Sequence, residues 1–261
     1  MLIRFQELQV LTEDIIPVMW DDGKPSSHAI VMRNVTGATE ITSLFNSITY
    51  SKGASILRML EKIVGSDVFR DRLRDYLTMN AFNVGDPSIF YNNLFTNISG
   101  EEFMRNWLEE SNYPILHVHL SSNENGTEIS FNQSRFIIST ALDASKLNSD
   151  YRWKINVQCI LGQLIDLCIS KSLTNGQIFS GIDSDDFNMN DTTIIEFMLE
   201  TEAETRSFPD QKYTWIKCNR HYQGFFVTLY SSDTSPKTMW EKFANLLEIG
   251  PTVRCSKIIK S

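Results

Sequence analysis

The sequence predicts an α+β protein with more than one domain, and three observations lead to that prediction. Over roughly the first 112 residues, apolar side chains recur at spacings of three and four, which is typical of amphipathic helices. After Pro114 the pattern changes to alternating apolar and polar residues, which is typical of strands. The chain has 261 residues, which is long for one compact domain. We therefore expect a helical unit at 1–112, a β-sandwich at 113–232 and a helical segment at 233–261.

Apolar stripes define two of the first three predicted helices. The first covers 3–19, where the stripe consists of Phe5, Leu8, Leu11, Ile15 and Met19. A short helix is predicted at 40–45 and a longer one at 47–64. The apolar face of the longer helix is formed by Ile56, Leu57, Leu60, Ile63 and Val64.

Residues that favour helix ends separate the later helices. Gly65 tolerates left-handed dihedral angles and is expected to end the helix at 47–64. Ser66 is then the expected N-cap of the next helix. Asp86 and Pro87 repeat the arrangement, with aspartate as the cap and proline at the first helical position.

The change from helices to strands is predicted close to Pro114. The last helix, at 101–111, is followed by Asn112, which suits a left-handed C-cap, and Pro114 cannot continue a helix. The strand candidates are 116–120, 128–131, 153–157, 193–199, 213–218 and 225–230. Short strands separated by Asn-Gly turn signals, at 125–126 and 175–176, predict the sandwich. Helical spacing returns at 238–247, and a further helix is expected to start at Gly250-Pro251.

Composition excludes some partners. The net charge of −8 argues against nucleic acid, because phosphate binding needs clustered lysine and arginine. No stretch approaches the roughly 20 apolar residues that span a bilayer. Met1 is followed by no long apolar core, so the start is not a signal peptide; either the chain is cytosolic or its natural N-terminus lies upstream.

The cysteines and the glycosylation sequons bear on the compartment. Cys159, Cys168, Cys218 and Cys255 show no C-x-x-C spacing, and we expect free, buried thiols rather than a zinc ribbon or a disulfide framework. Five N-x-[S/T] sequons occur, at Asn34, Asn97, Asn125, Asn132 and Asn190. They favour an extracellular or membrane-anchored ectodomain of the secretory pathway and a glycoprotein, with a cytoplasmic protein as the alternative.

One segment identifies a family. Residues 48–60, ITYSKGASILRML, resemble the [IV]-[ST]-Y-x-K-G-A-x-[IVL]-L-x-M-L block of the gluzincin zinc aminopeptidases, the group that contains aminopeptidase N. Five further blocks resemble the family in the same order: SSHAI at 26–30, MRNW at 104–107 with YPI at 113–115, NQSRF at 132–136, WIKCN at 215–219 and GFF at 224–226. The resemblance spans nearly the whole chain.

The resemblance implies an architecture and a place in a larger protein. The helical unit corresponds to the C-terminal half of a thermolysin-like catalytic domain, the strands to the β-sandwich that follows it, and the last residues to the start of a large helical domain. On this interpretation the chain is an interior fragment of a metallopeptidase that hydrolyses N-terminal residues from peptides.

The resemblance also implies a role for Tyr50, the candidate catalytic residue. In this family a zinc ion polarises the scissile carbonyl and activates water, with a glutamate as general base. The tyrosine of Y-x-K-G-A donates its phenolic hydroxyl to the oxyanion of the tetrahedral intermediate, and Tyr50 matches that position. Lys52 and Gly53 are expected to set the helix against its neighbours, with the glycine allowing a close approach.

The zinc ligands of the family are absent from the sequence. Zinc requires an H-E-x-x-H motif and a glutamate from a following helix, and none of the four histidines, at 28, 117, 119 and 221, belongs to such a motif. His28 is interpreted as structural. His117 and His119 lie on one face of a strand but have no carboxylate at ligand spacing. We expect the full-length parent to hold Zn²⁺ and this chain alone to bind none and to be inactive.

Other acidic residues are interpreted as solvated surface. These are Glu109 and Glu110 at a helix end and the loop residues Asp183, Asp185 and Asp186.

A departure from the family pattern leaves a second hypothesis open. After Gly224 the family usually has Y-Y-R-V-N-Y-D, whereas residues 225–231 here read FFVTLYS. A divergent, non-catalytic homologue that serves binding or assembly is therefore the alternative to an aminopeptidase that acts on peptide substrates. Half a catalytic domain would also expose a face meant for the missing half, so we expect self-association.

Overall fold

The structure is a computed structural model that describes residues 9–95, 98–138, 152–162 and 192–232. The predicted helices beyond residue 232, the start of the first helix and the turn signal at 175–176 lie outside the described residues. The boundaries between the expected domains remain predictions.

Helices form the first part of the described chain. They are α1 (Ile16–Asp22), α2 (Ala38–Ser43), α3 (Gly53–Val64), α4 (Ser66–Met79), α5 (Pro87–Leu94) and α6 (Gly100–Glu109). Two π-helical segments lead directly into helices: Val10–Ile15 precedes α1, and Ile48–Lys52 precedes α3. Within the described residues the predicted helices are thus confirmed, with ends shifted by a few residues.

The caps predicted at Asp86 and Asn112 are confirmed, whereas the one predicted at Ser66 is not. The carboxylate of Asp86 accepts the backbone N–H of Ser88, and Asn112 adopts a left-handed φ of 66°, as expected. The N-cap assigned to Ser66 was wrong. Ser66 is the first residue of α4, and Gly65 holds the N-cap position with φ 88° and no side-chain cap. That positive φ suits glycine, which has no Cβ to clash.

Strands form the second part in two sheets. They are β1 (Tyr113–Asn123), β2 (Gly126–Phe136), β3 (Ile155–Gly162), β4 (Thr193–Leu199), β5 (Ala203–Pro209), β6 (Trp215–Cys218) and β7 (Val227–Ser232). The four-stranded sheet has the order β5-β2-β1-β7, and the three-stranded sheet has the order β4-β3-β6. Of the strands that the structure describes, only β5 was not predicted, because its run AETRSFP has charged or polar residues at four of its seven positions.

The two sheets share an apolar core with the helices. Phe131 of β2 packs edge-on against Phe197 of β4, with ring centroids 5.0 Å apart. Trp107 of α6 is fully buried, lies 6.2 Å from Trp153 between ring centroids, and donates its indole N–H to the carbonyl of Lys154. These contacts join α6 to the start of β3, so helices and sheets form one continuous core.

The expectation of free thiols is wrong for two of the four cysteines. Cys159 of β3 and Cys218 of β6 are paired across neighbouring strands and form a disulfide. They are 59 residues apart in sequence, so no local spacing signalled the bond. Cys168 and Cys255 lie outside the described residues.

Candidate functional site around Tyr50

Tyr50 lies on the π-helical segment Ile48–Lys52, one turn before α3 begins. Its side chain is 62% exposed, and its phenol ring lies 6.4 Å from that of Phe45, between ring centroids. Among the described residues, its hydroxyl has no hydrogen-bond partner. Single π-helical turns are frequent at functional sites. The local fold therefore presents a phenol that is free to donate to a ligand.

Asn46 holds the start of this turn. Its side-chain oxygen accepts the backbone N–H of Ile48 at 2.9 Å, and its backbone oxygen accepts the N–H of Tyr50 at 3.1 Å. Its amide group donates to Nε2 of His28 at 2.7 Å. Since that ring nitrogen accepts, the proton resides on Nδ1, which donates to the carbonyl of Ala29. His28 therefore has a structural role, as the sequence predicted.

Lys52 anchors the other end of the turn from inside the protein. Its side chain is fully buried, and its ammonium lies 2.9 Å from Oδ2 of Asp22, whose side chain is also fully buried. The ammonium also donates to the carbonyl of Asn112 at 2.9 Å and that of Glu110 at 3.3 Å. An isolated buried charge is costly, and these three oxygen atoms compensate it. The lysine thus ties the Tyr50 turn to α1 and to the start of β1.

Asp22 and Asn112 extend this buried cluster. Oδ1 of Asp22 accepts the hydroxyl of Ser27 at 2.6 Å and the backbone N–H of Asn112 at 2.9 Å. The side-chain amide of Asn112 donates to the backbone carbonyl of Asp22, and its oxygen accepts Nε–H of Arg135 at 2.7 Å. The left-handed backbone at Asn112 positions both groups. We call Asp22, Lys52 and Asn112 the buried polar cluster; the half-buried Arg135 borders it.

Burial and charge act in opposite directions on Lys52. Removal of its ammonium from water lowers the pKa of Lys52, and the carboxylate of Asp22 opposes that shift. Phe225 lies beside the ammonium, with its ring centroid 6.0 Å from Nζ, and contributes the apolar wall.

The expectation for Gly53 is wrong. A Cβ placed on Gly53 would meet no atom within 4 Å among the described residues, so no close approach requires glycine there. The helix is held against its neighbours by Lys52 instead.

Tyr50 is one of several large apolar residues of the helical part that are exposed. Phe45, whose ring lies beside that of Tyr50, is 66% exposed, and Trp20 is 64% exposed. Further exposed apolar residues near them in the sequence are Ile16, Ile41 and Leu57. We call these six residues the exposed apolar residues; exposed apolar side chains favour association when they are contiguous.

The remaining candidate residues have other partners. His117 and His119 both point away from the buried side of β1, as predicted, and bond to the hydroxyls of Ser134 at 2.7 Å and Ser231 at 2.9 Å. Glu109 pairs with Arg33 on the surface. The side chain of His221 and the acidic loop at 183–186 lie outside the described residues.

The described residues do not assemble a zinc site. Within the ranges that the structure describes, no group of three histidine, cysteine, aspartate or glutamate side chains is placed to hold a metal ion.

The side chains of several motifs proved to be structural. Asn219 adopts φ 53°, donates to the carbonyl of Phe226 at 3.0 Å and accepts the N–H of Gly224 at 2.8 Å, so the WIKCN and GFF segments hold each other. Gln133 of the NQSRF segment accepts the N–H of Trp153 and donates to its carbonyl. Sequence reasoning missed the contacts of Asp22, Asn46 and Asn112, since their partners lie up to 90 residues away.

A helical part that presents an exposed tyrosine, followed by two sheets, agrees with the zinc aminopeptidase architecture that the motifs indicate. Residues 4–107 match the model of the peptidase family M1 domain. The chain is 39% identical over 244 residues to aminopeptidase A of Gloydius brevicauda, which covers 92% of this chain and 22% of that protein. It is 37% identical over 154 residues to human glutamyl aminopeptidase, which covers 58% of this chain and 15% of that protein.

A third relative is named as an ectoenzyme. Over 169 residues the chain is 32% identical to the human thyrotropin-releasing hormone-degrading ectoenzyme, which covers 60% of this chain and 15% of that protein. The chain spans about a fifth or less of the length of these relatives. It belongs to peptidase family M1, the gluzincin aminopeptidases.

Proposed function

We propose that this chain is part of a zinc aminopeptidase that removes N-terminal residues from peptides, and that Tyr50 stabilises the oxyanion formed at the scissile carbonyl. The observation that carries the proposal is the geometry of Tyr50. The residue is exposed and its hydroxyl has no partner among the described residues, while its backbone turn is held at one end by Asn46 and at the other by the buried Lys52. A fixed donor with a free hydroxyl is what oxyanion stabilisation requires.

The metal of the whole protein would be held elsewhere. Because the described residues present no ligand group and the sequence contains no H-E-x-x-H, the ligands would come from a part of the protein outside this sequence. The zinc ion supplies the Lewis acid for the hydrolysis when bound. The chain alone is accordingly proposed to bind no zinc and to be inactive.

The names of the relatives suggest the first substrate to test. Several are glutamyl aminopeptidases, so we propose that the whole protein accepts peptides with an N-terminal glutamate. A glutamyl chromogenic substrate, compared with its leucyl and alanyl analogues, measures this preference as a ratio of kcat/KM.

The disulfide and one relative's name support a proposal for the compartment. Disulfides persist in oxidising compartments and are rare in the cytosol. Cys159 and Cys218 form one, and a relative is named an ectoenzyme. We propose an extracellular or membrane-anchored protein. Among the described residues, no helix is both long and apolar enough to cross a membrane.

The role of Tyr50 is tested by Tyr50→Phe in the whole protein. Loss of one oxyanion donor is expected to lower kcat by about 10²–10³-fold. The matched control is Tyr222→Phe, because Tyr222 is also an exposed tyrosine, at 51%. This variant is expected to leave kcat unchanged. An unaltered rate in Tyr50→Phe removes this residue from the mechanism.

A non-catalytic homologue is the second candidate, and one observation favours it. Phe225 and Phe226 are buried where the family carries tyrosines ahead of an arginine, which marks a divergent member. Zinc analysis and peptide hydrolysis by the whole protein separate the two candidates. Stoichiometric zinc together with hydrolysis supports the enzyme. The absence of both zinc and hydrolysis supports the binding module.

A further inference from the structure

Two glycosylation sequons lie on the β1–β2 hairpin and have no part in the chemistry proposed for Tyr50. The first, Asn125-Gly-Thr127, occupies the turn, where Asn123 pairs with Gly126. The second, Asn132-Gln-Ser134, lies within β2. Both asparagine side chains are exposed.

The strand geometry fixes the direction of Asn132. Successive side chains of a strand point to opposite faces. Gln133 is 2% exposed and bonds to the carbonyls of Trp153 and Thr201 beneath the sheet. Asn132 therefore points outward, from a strand whose two neighbours, β1 and β5, place His117 and Ala203 beside it.

The outer face around Asn132 is polar and mostly uncharged. The side chains of this face on the four strands are Ile115, His117, His119, Ser121, Glu128, Ser130, Asn132, Ser134, Ala203, Thr205, Ser207, Val227, Leu229 and Ser231. Most are small, and several bond to one another, as Ser130 does to Thr205. The aliphatic residues Ile115, Val227 and Leu229 lie on the β1–β7 side of this face. The immediate neighbours of Asn132 across the strands are His117 and Ala203, which leave room for a hydrated sugar.

The disulfide supplies an independent observation. Cys159–Cys218 indicates an oxidising compartment, which in eukaryotic cells is where N-linked glycans are attached. A sequon alone is weak, but here two exposed sequons occur in a chain with a buried disulfide.

We infer that Asn125 and Asn132 carry N-linked glycans, and that the outer face of the four-stranded sheet is consequently not covered by another part of the protein. In the attachment step, the side-chain amide nitrogen of each asparagine forms a bond to the anomeric carbon of a lipid-pyrophosphate-linked oligosaccharide. The bond from that carbon to the pyrophosphate oxygen breaks, the lipid pyrophosphate leaves, and the amide loses one proton. The inference rests on the proposed secretory compartment and not on catalysis.

Attachment at Asn125 precedes folding of the hairpin. The hydroxyl of Thr127, which completes the sequon, is buried; it donates to the carbonyl of Gln211 at 2.8 Å and accepts the N–H of Tyr213 at 2.9 Å. An enzyme that reads this hydroxyl reaches it only before these bonds form.

The inference of N-linked glycans does not extend to the sequon at Asn34. Its asparagine is exposed, but its neighbours Val31 and Met32 are exposed apolar residues, at 42% and 41%, of the kind that another segment covers.

The test is expression of the full chain behind a secretion signal in a eukaryotic cell, with both medium and cell lysate analysed. Peptide-N-glycosidase treatment in ¹⁸O-water, followed by mass spectrometry, is expected to convert Asn125 and Asn132 to ¹⁸O-labelled aspartate. Poorly folded protein that stays in the cell still carries its glycans, so the glycosylated peptides from the lysate are measured together with those from the medium. Recovery of both peptides only in unmodified form overturns the inference.

Matched variants assign each site. Asn125→Gln and Asn132→Gln are each expected to lose the label at that position and keep it at the other. Ser134→Ala is expected to lose the label at Asn132, and Ser134→Thr, which keeps a hydroxyl, to retain it. Label at Asn132 that persists in Ser134→Ala contradicts sequon-dependent attachment. Tyr50→Phe affects none of these readouts, so failure of the proposed catalysis is distinguished from failure of this inference.

Discussion

The ammonium of Lys52 lies 2.9 Å from the carboxylate of Asp22, and neither side chain is exposed to solvent. Lys52 sits two residues after Tyr50, while Asp22 ends α1. The pair therefore couples the turn that presents the phenol to a helix from an earlier part of the chain. Removal of either charge leaves the other buried without a counter-charge.

The first prediction concerns this pair. Lys52→Met and Asp22→Asn are each expected to lower the free energy of unfolding by about 3–5 kcal/mol, because each leaves an uncompensated buried group. The double variant is expected to cost less than the sum of the two. Urea-induced unfolding measures all three.

An exposed ion pair serves as the control. Lys24 and Asp21 are 2.6 Å apart, but their side chains are 45% and 42% exposed. Lys24→Met is expected to cost less than about 1 kcal/mol. Equal costs for Lys24→Met and Lys52→Met would show that burial of the Lys52 pair has no energetic consequence.

The second prediction concerns the disulfide. A closed loop of 59 residues is expected to contribute about 4 kcal/mol through the entropy of the unfolded chain. Dithiothreitol should lower the unfolding midpoint of the wild-type chain and leave that of a Cys159→Ala/Cys218→Ala variant unchanged. If peptide mapping without reductant finds Cys159 and Cys218 as free thiols, the pairing is refuted.

The third prediction concerns the exposed apolar residues. The chain is expected to self-associate through them, and Trp20→Lys with Phe45→Lys is expected to shift the population toward monomer. Leu77→Lys, at an exposed apolar residue near the end of α4, is the control and should have no such effect. Size-exclusion chromatography with light scattering gives the masses; a monomeric wild-type chain would contradict the prediction.

The fourth prediction is a pH effect at the start of α5. The hydrogen bond from the backbone N–H of Ser88 lowers the pKa of Asp86 below its ordinary value of 3.8. The cap is therefore intact above that ordinary value and is lost as pH falls through the lower, folded-state pKa. The Ser88 amide resonance should move over that acidic range. In Asp86→Asn, which caps without titrating, it should not.

Much of the secondary structure could be predicted because its causes are local. Asp86 starts a helix because its side chain accepts a backbone N–H, and Pro87 suits the first helical position because it has no N–H to leave unpaired. Both effects act within a few residues. The strand at 116–120 follows from simple alternation. Strand β5 escaped prediction because its pairing with β2 compensates for a polar sequence, and that pairing is not local.

The candidate site was predicted only in part. The motif around Tyr50 indicated the candidate catalytic residue, and the role of Tyr50 stays a prediction. Gly53 was misjudged because space around a backbone depends on what packs there. Ser66 was misjudged because Gly65, with its positive φ, takes the cap position itself.

The sequence by itself determined the helices, the alternating strands, the family and the candidate tyrosine. Only the tertiary structure decided that Lys52 is buried against Asp22 and Asn112, that Cys159 meets Cys218, and that the phenol of Tyr50 faces outward. The physical reason is distance along the chain. Lys52 and Asn112 are 60 residues apart, and only the packing of helices against sheets brings such partners within hydrogen-bonding distance.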